Sequence, residues 1–254
     1  TSMAAPVVSG SAALVMDHLI SVEGLDEPSP AVVKSILVAS ADHLSSSQWP
    51  SREQGWGRVN ASRAIVETRD SNMEFVDQTT KFHSVGASHS YRYDVQAGNP
   101  LRVSLVWTDL PSQVYSGKML VNDLDLEVES PSGQVYKGNV FTGGQSTTGG
   151  TADDTNNVEM VYIESPETGE WEVTVRSSQL PPVWGGGNQD FAISVVGNVN
   201  KKFVDLAAQN LSVRATDAAE GDVIPIVFDL ANLGNLPATT VGWQLDIMAE
   251  LGNL

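Results

Sequence analysis

Leu101-Arg102-Val103-Ser104-Leu105-Val106-Trp107 alternates apolar and polar side chains until its last two positions. A strand sends successive side chains to opposite faces, so a period of two reads as a half-buried β-strand. The pattern returns in Leu124-Asp125-Leu126-Glu127-Val128-Glu129, in Trp171-Glu172-Val173-Thr174-Val175-Arg176 and in Phe191-Ala192-Ile193-Ser194-Val195. Turn residues separate the runs at Ser130-Pro131-Ser132-Gly133, Thr168-Gly169 and Gly185-Gly186-Gly187-Asn188. Short alternating strands between Gly and Pro turns predict an antiparallel β-sandwich over 73–199, long enough for the strands of a jelly roll. One face of each strand is expected in the core and the other in water.

Upstream the pattern is helical. Thr1-Ser2-Met3-Ala4-Ala5-Pro6 leads into Val7-Val8-Ser9-Gly10-Ser11-Ala12-Ala13-Leu14-Val15-Met16, apolar on nearly every side. This predicts a helix to about Ile20 that lies buried inside a large domain. Pro6 belongs in its first turn, where a missing N–H is no loss. Ser29 then caps a helix with Pro30 at its first position, and Val33, Ile36 and Leu37 give that helix an apolar stripe. Ser45-Ser46-Ser47-Gln48 reads as a polar loop, and Asn60 as the cap of a short helix through Val66. Residues 1–69 are too few and too apolar to stand as a complete domain. Downstream, 203–254 opens a third piece with β character.

Acidic residues number 31 against 14 basic, a net charge of −17, which argues against nucleic acid and anionic membranes as partners. Cysteine is absent, excluding disulfides and thiolate metal sites. No apolar run is expected to reach the length of a membrane crossing.

A hydroxyl at the start of a helix suits two roles. It can cap the helix. It can also serve as a nucleophile, because first-turn N–H groups and the macrodipole would stabilise an oxyanion beside it. The Thr1–Pro6 string with its apolar helix resembles the serine-bearing segment of the subtilisin-like serine proteases. Ser29-Pro30-Ala31-Val32-Val33-Lys34-Ser35-Ile36-Leu37 resembles that family's next helix. Gly55-Trp56-Gly57-Arg58-Val59-Asn60-Ala61-Ser62-Arg63-Ala64 resembles the segment that closes its catalytic domain. The resemblance implies that residues 1–69 are the helical C-terminal end of an α/β catalytic domain. It implies that Ser2 is the nucleophile and its own N–H one oxyanion donor.

In that family the triad runs Asp, His, Ser, so both partners would lie upstream of Ser2. His18, His43, His83 and His89 all follow it. The oxyanion asparagine would be upstream as well. The chain is therefore read as a C-terminal fragment beginning at Thr1, inactive alone because a serine without its base is a poor nucleophile.

Ser104-Leu105-Val106-Trp107-Thr108-Asp109, Leu120-Val121-Asn122-Asp123-Leu124-Asp125-Leu126, Asn156-Asn157-Val158-Glu159 and Gly169-Glu170-Trp171-Glu172-Val173 together resemble the jelly-roll domain of certain secreted subtilases. This implies an extracellular location. Phe203-Val204-Asp205-Leu206 and Gly221-Asp222-Val223 through Asn232-Leu233-Gly234 are similar to the opening of bacterial adhesion-related (CARDB-like) Ig modules. The truncated module is expected to be poorly ordered.

Asp123, Asp125, Glu127 and Glu129 share one strand face by parity. Their repulsion suits a hard divalent cation, to which Asp109 at another strand end could contribute. The resemblance likewise implies a calcium-binding domain, with Asp109, Asp123 and Asp125 as ligands and Asp153-Asp154 as lesser candidates. A solvated acidic face explains the same residues. Two functions follow: part of a secreted serine endopeptidase acting on protein or peptide substrates, or a wall- or matrix-binding β module.

Overall fold

Ser29 and Pro30 start a helix as the residues require. Ser29 is extended, its Oγ accepts from the N–H of Val32 at 3.0 Å, and Pro30 occupies the first helical position. The computed structural model describes residues 2–44, 49–65, 72–182, 188–202, 206–213 and 226–234. The loop read at Ser45–Gln48, the glycines at 185–187 and most of 203–254 lie outside these residues. Three helices are described: α1 (Ala4–Ser21), α2 (Pro30–Ser40) and α3 (Ala61–Ile65). Pro6 falls in the first turn of α1, and Asn60 Oδ1 caps α3 by accepting from the N–H of Arg63 at 2.9 Å.

Ten strands follow: β1 (Asn72–Phe82), β2 (Ser88–Val95), β3 (Leu101–Val106), β4 (Asp123–Glu129), β5 (Val135–Thr142), β6 (Gln145–Thr148), β7 (Val158–Ile163), β8 (Gly169–Gln179), β9 (Gln189–Gly197) and β10 (Val199–Lys202). They form a four-stranded sheet, order β1-β9-β3-β7, and a six-stranded sheet, order β10-β2-β8-β4-β5-β6. Between the sheets lies one core. Leu101, Val103, Leu105, Phe191 and Ile193 contribute from the first sheet, and Tyr93, Leu124, Leu126, Trp171 and Val173 from the second. Each large side chain buried here stabilises the fold by roughly 1.5–3 kcal/mol.

The expected wet face exists on the six-stranded sheet only. Every residue of β3 and of β7 is buried. The second face of their sheet carries Val106, Val158, Met160, Tyr162 and Ala192, which pack against Val32, Val33 and Ile36 of α2. Small polar residues let the helix lie close: Ser35 and Ser104 are both fully buried, and Ser35 Oγ donates to the Ser104 carbonyl at 2.9 Å. The arrangement is three-layered, with one sheet between helices and the other sheet.

The expectation that α1 is buried all round is corrected. Only Ser11, Val15 and Leu19 are buried, whereas Val7, Val8, Leu14, Met16 and Ile20 are exposed. One stripe is all that α2 and α3 can cover. By length and composition α1 also reaches what a membrane crossing needs, contrary to the reading above, although core helices meet the same test.

Side chains stitch the two sheets at their corners. Asn72 Oδ1 accepts from the N–H of Val199 at 2.9 Å, and its Nδ2 donates to the Val199 carbonyl. Asn139 of β5, in the left-handed region at φ 60°, donates from Nδ2 to the Val158 carbonyl at 2.8 Å and accepts from the N–H of Met160 at 3.0 Å. Thr1–Lys201 make one compact unit and Lys202–Leu254 a second. In the second, β11 (Leu206–Val213) pairs antiparallel with β12 (Ile226–Asn232).

Candidate active-site serine and acidic strand

Ser2 is exposed just ahead of α1. The N-cap is Met3, and no side chain caps the helix, so the capping role considered for Ser2 is not taken up. The hydroxyl therefore stands next to a helix start whose first-turn N–H groups have no side-chain acceptor.

None of the histidines has its ring engaged with Ser2. His18 lies on α1 about 20 Å along the axis by helical rise, and its Nε2 is 3.3 Å from Glu23 Oε1. His43 stacks on Trp49 at 3.7 Å. His83 Nδ1 pairs with Asn188 Oδ1, and His89 packs against Phe82.

The three expected calcium ligands do not act as one group. Asp109 is a loop brace: its carboxylate accepts from the N–H groups of Leu110 at 2.8 Å, Val121 at 2.7 Å and Asn122 at 2.8 Å. Asp123 is only 6% exposed, with Oδ1 buried and unpartnered among the described residues and Oδ2 3.9 Å from Lys118 Nζ. Burial and then the charge of Asp125 raise its pKa to about 6. Asp125 accepts from Ser178 Oγ, and its pKa is raised chiefly by burial. Asp153 organises its own loop, accepting from Asn139 Nδ2 at 2.6 Å and Asn156 Nδ2 at 2.7 Å. Among the described residues no group of three or more His, Asp or Glu side chains is arranged to hold a metal ion. Asp109 is held by backbone amides and is not grouped with Asp123 and Asp125 among the described residues.

Sequence reasoning missed the acid that matters most to this region. Glu159 of β7 is fully buried and points into the core between the sheets. Its Oε2 accepts from the N–H of Leu126 at 2.7 Å, while Oε1 is buried without a partner among the described residues. Pairing of β5 with β4 covers only Glu127–Glu129, so Glu159 answers the first amide beyond it. Burial, with the charges of Asp125, Asp153 and Asp123 added, raises its pKa to about 9. A Cβ on Gly138 would meet Glu159 Oε2 at 2.2 Å, which is why glycine stands there. Glu159 sits in a quoted sequence motif, but nothing local marks it as buried.

Residues 1–57 match the Subtilase family of peptidases (family S8). The matched stretch includes Ser2, α1 and α2, and ends at Gly57 of the closing segment. A curated relative, the serine protease/ABC transporter B family protein tagA of Dictyostelium discoideum, is 26% identical over 162 residues, which is 61% of this chain. The chain spans 9% of that relative's length. Among solved structures, a lipase of Bacillus licheniformis, BlEst2 in its propeptide form, aligns over 67% of this chain and 35% of its own at 12% identity. Its TM-score of 0.28 is too low to carry an argument. The subtilase match stops before β1 and does not reach the two-sheet body.

Proposed function

We propose that this chain carries the nucleophile of a secreted serine endopeptidase of subtilisin type, with Ser2 attacking the scissile carbonyl of a protein or peptide substrate. The observation that carries this is the position of Ser2: exposed, not used as a cap, beside the uncapped start of α1, within the segment that matches subtilases. Ser2 Oγ gives up its proton and bonds the carbonyl carbon, with first-turn N–H groups on the oxyanion. The C–N bond breaks and the amine leaves carrying a proton. Water then hydrolyses the acyl-enzyme to a carboxylate and restores the hydroxyl. The described histidines are engaged elsewhere, so the imidazole and acid that activate Ser2 come from other polypeptide. In this reading the chain alone is inactive, and the exposed face of α1 is where that polypeptide packs.

The two-sheet body is then the jelly roll of secreted subtilases, bracing α2 and through it α1, and 203–254 begins an Ig-like module. Calcium enters only through Asp123 and Asp125; a melting temperature unchanged by chelation removes it. The outer face of the six-stranded sheet is a polar ladder, with Ser90 Oγ on Thr174 at 2.7 Å, Arg92 on Glu172 at 3.1 Å and Arg176 on Glu127 at 3.4 Å.

The test is a serine-directed phosphonate on protein carrying the complete catalytic domain, with the adduct mapped by mass spectrometry. Labelling of Ser2, lost in Ser2→Ala, supports the reading. An active protein labelled elsewhere overturns it.

A further inference from the structure

Arg102 is a buried charge that makes no ion pair among the described residues. It leaves β3 opposite Tyr162 of β7, and its guanidinium carbon lies 5.1 Å from the centre of that ring. The residue is 8% exposed, and Nε is buried without a hydrogen-bond partner among the described residues. His43 meets the same Tyr162 ring edge-on at 4.3 Å, and its Nε2 is likewise buried and unpartnered. Two orphan nitrogens thus flank one aromatic ring.

The charges nearby do not answer them. Arg63 donates to the Ser40 carbonyl at 2.8 Å and to Asp42 Oδ1 at 2.8 Å. Asp42 also takes Arg58 at 3.2 Å and Asn60 at 3.1 Å. Two guanidinium groups, those of Arg58 and Arg63, therefore already share this one carboxylate, inside a protein whose net charge is −17. Burial, and after it the charge of Arg63, lowers the pKa of Arg102 to about 10. A buried cation needs pairing or hydrogen bonds, and the face of one tyrosine offsets only part of that need.

We propose that Arg102 and His43 form a binding site for a small carboxylate, at the seam between the α2–α3 segment and the four-stranded sheet. The planar guanidinium matches a carboxylate as a two-pronged donor, which a spherical anion cannot exploit. His43 stays neutral, its pKa lowered to about 4 by burial and then by Arg102 and Arg63, so it can donate from Nε2 without adding charge. Trp49, stacked on His43, and Tyr162 wall the site with aromatic surface. Arg63 and His43 border solvent, and Arg102 lies beneath.

The test uses the whole chain and is independent of the role of Ser2. Melting temperature and calorimetric titration are followed with sodium acetate, N-acetylglycine and N-acetylglycinamide, at ionic strength held constant with sodium chloride. The two carboxylates are expected to bind saturably and to raise the melting temperature by roughly 3 °C at ten times the dissociation constant. The amide and chloride are expected to do nothing. Binding of N-acetylglycine alone assigns the site to peptide termini; equal binding of acetate assigns it to free carboxylates. Arg102→Met is expected to abolish the response. Arg102→Lys, which keeps the charge and loses the fork, should weaken it about tenfold. No carboxylate-dependent shift, or one undiminished in both variants, overturns the proposal.

Discussion

Asp77 of β1 accepts two hydrogen bonds from Ser29, from its N–H at 2.8 Å and from its hydroxyl. With its proton on Asp77, the Ser29 oxygen turns a lone pair toward the N–H of Val32 and caps α2. The register of β1 shifts between Asp77 and Lys81, a bulge that re-aims the strand just after Asp77. A strand of the two-sheet body thus sets where α2 begins, and α1 lies on α2.

Asp77→Ala should lower stability by about 1–3 kcal/mol, since it strips both bonds from a buried cap. Asp77→Asn, which keeps an acceptor, should lose less. Thermal unfolding by circular dichroism measures both; equal melting temperatures for wild type and Asp77→Ala would show that the contact holds nothing.

Asp109 holds the loop ahead of β4 through three amides. Asp109→Ala should open that loop, with hydrogen exchange at Val121 and Asn122 faster by at least about tenfold, equivalent to roughly 1.4 kcal/mol of lost protection. Exchange in β8, whose amides it does not touch, should stay as it was.

Glu159 predicts a pH dependence. Its pKa is about 9 when folded, against an ordinary value of 4.5. The folded state binds the extra proton between those values, so the stability it contributes is whole below about 4.5 and is lost as pH rises toward 9. Glu159→Gln should flatten that decline, which amounts to roughly 1.4 kcal/mol per pH unit at most. Melting curves from pH 5 to 9 in chelator, which takes metal at Asp123 and Asp125 out of the comparison, provide the check.

His43 acts at the other end of the scale. Its pKa is lowered from 6.5 to about 4. The unfolded chain binds the proton first, so the contribution is present above 6.5 and lost as pH falls through about 4. His43→Phe should leave neutral stability nearly unchanged and make the acid limb shallower, read as the melting temperature between pH 6.5 and 4.

Much of the architecture is local and could be read from residue order. Alternation placed β3, β4, β8 and β9, Ser29 with Pro30 placed the start of α2, and Asn60 placed that of α3, because each signal lies within a few residues of its effect. The bond from Asp77 to Ser29 joins residues 48 positions apart, and that from Leu126 to Glu159 joins residues 33 apart. No period or spacing encodes such meetings. The chain order therefore carried the elements and the candidate nucleophile. Packing alone decided that β3 and β7 are covered on both faces, that Asp109 is a brace, and that Glu159 and Arg102 are buried, because burial depends on which distant surface arrives to exclude water.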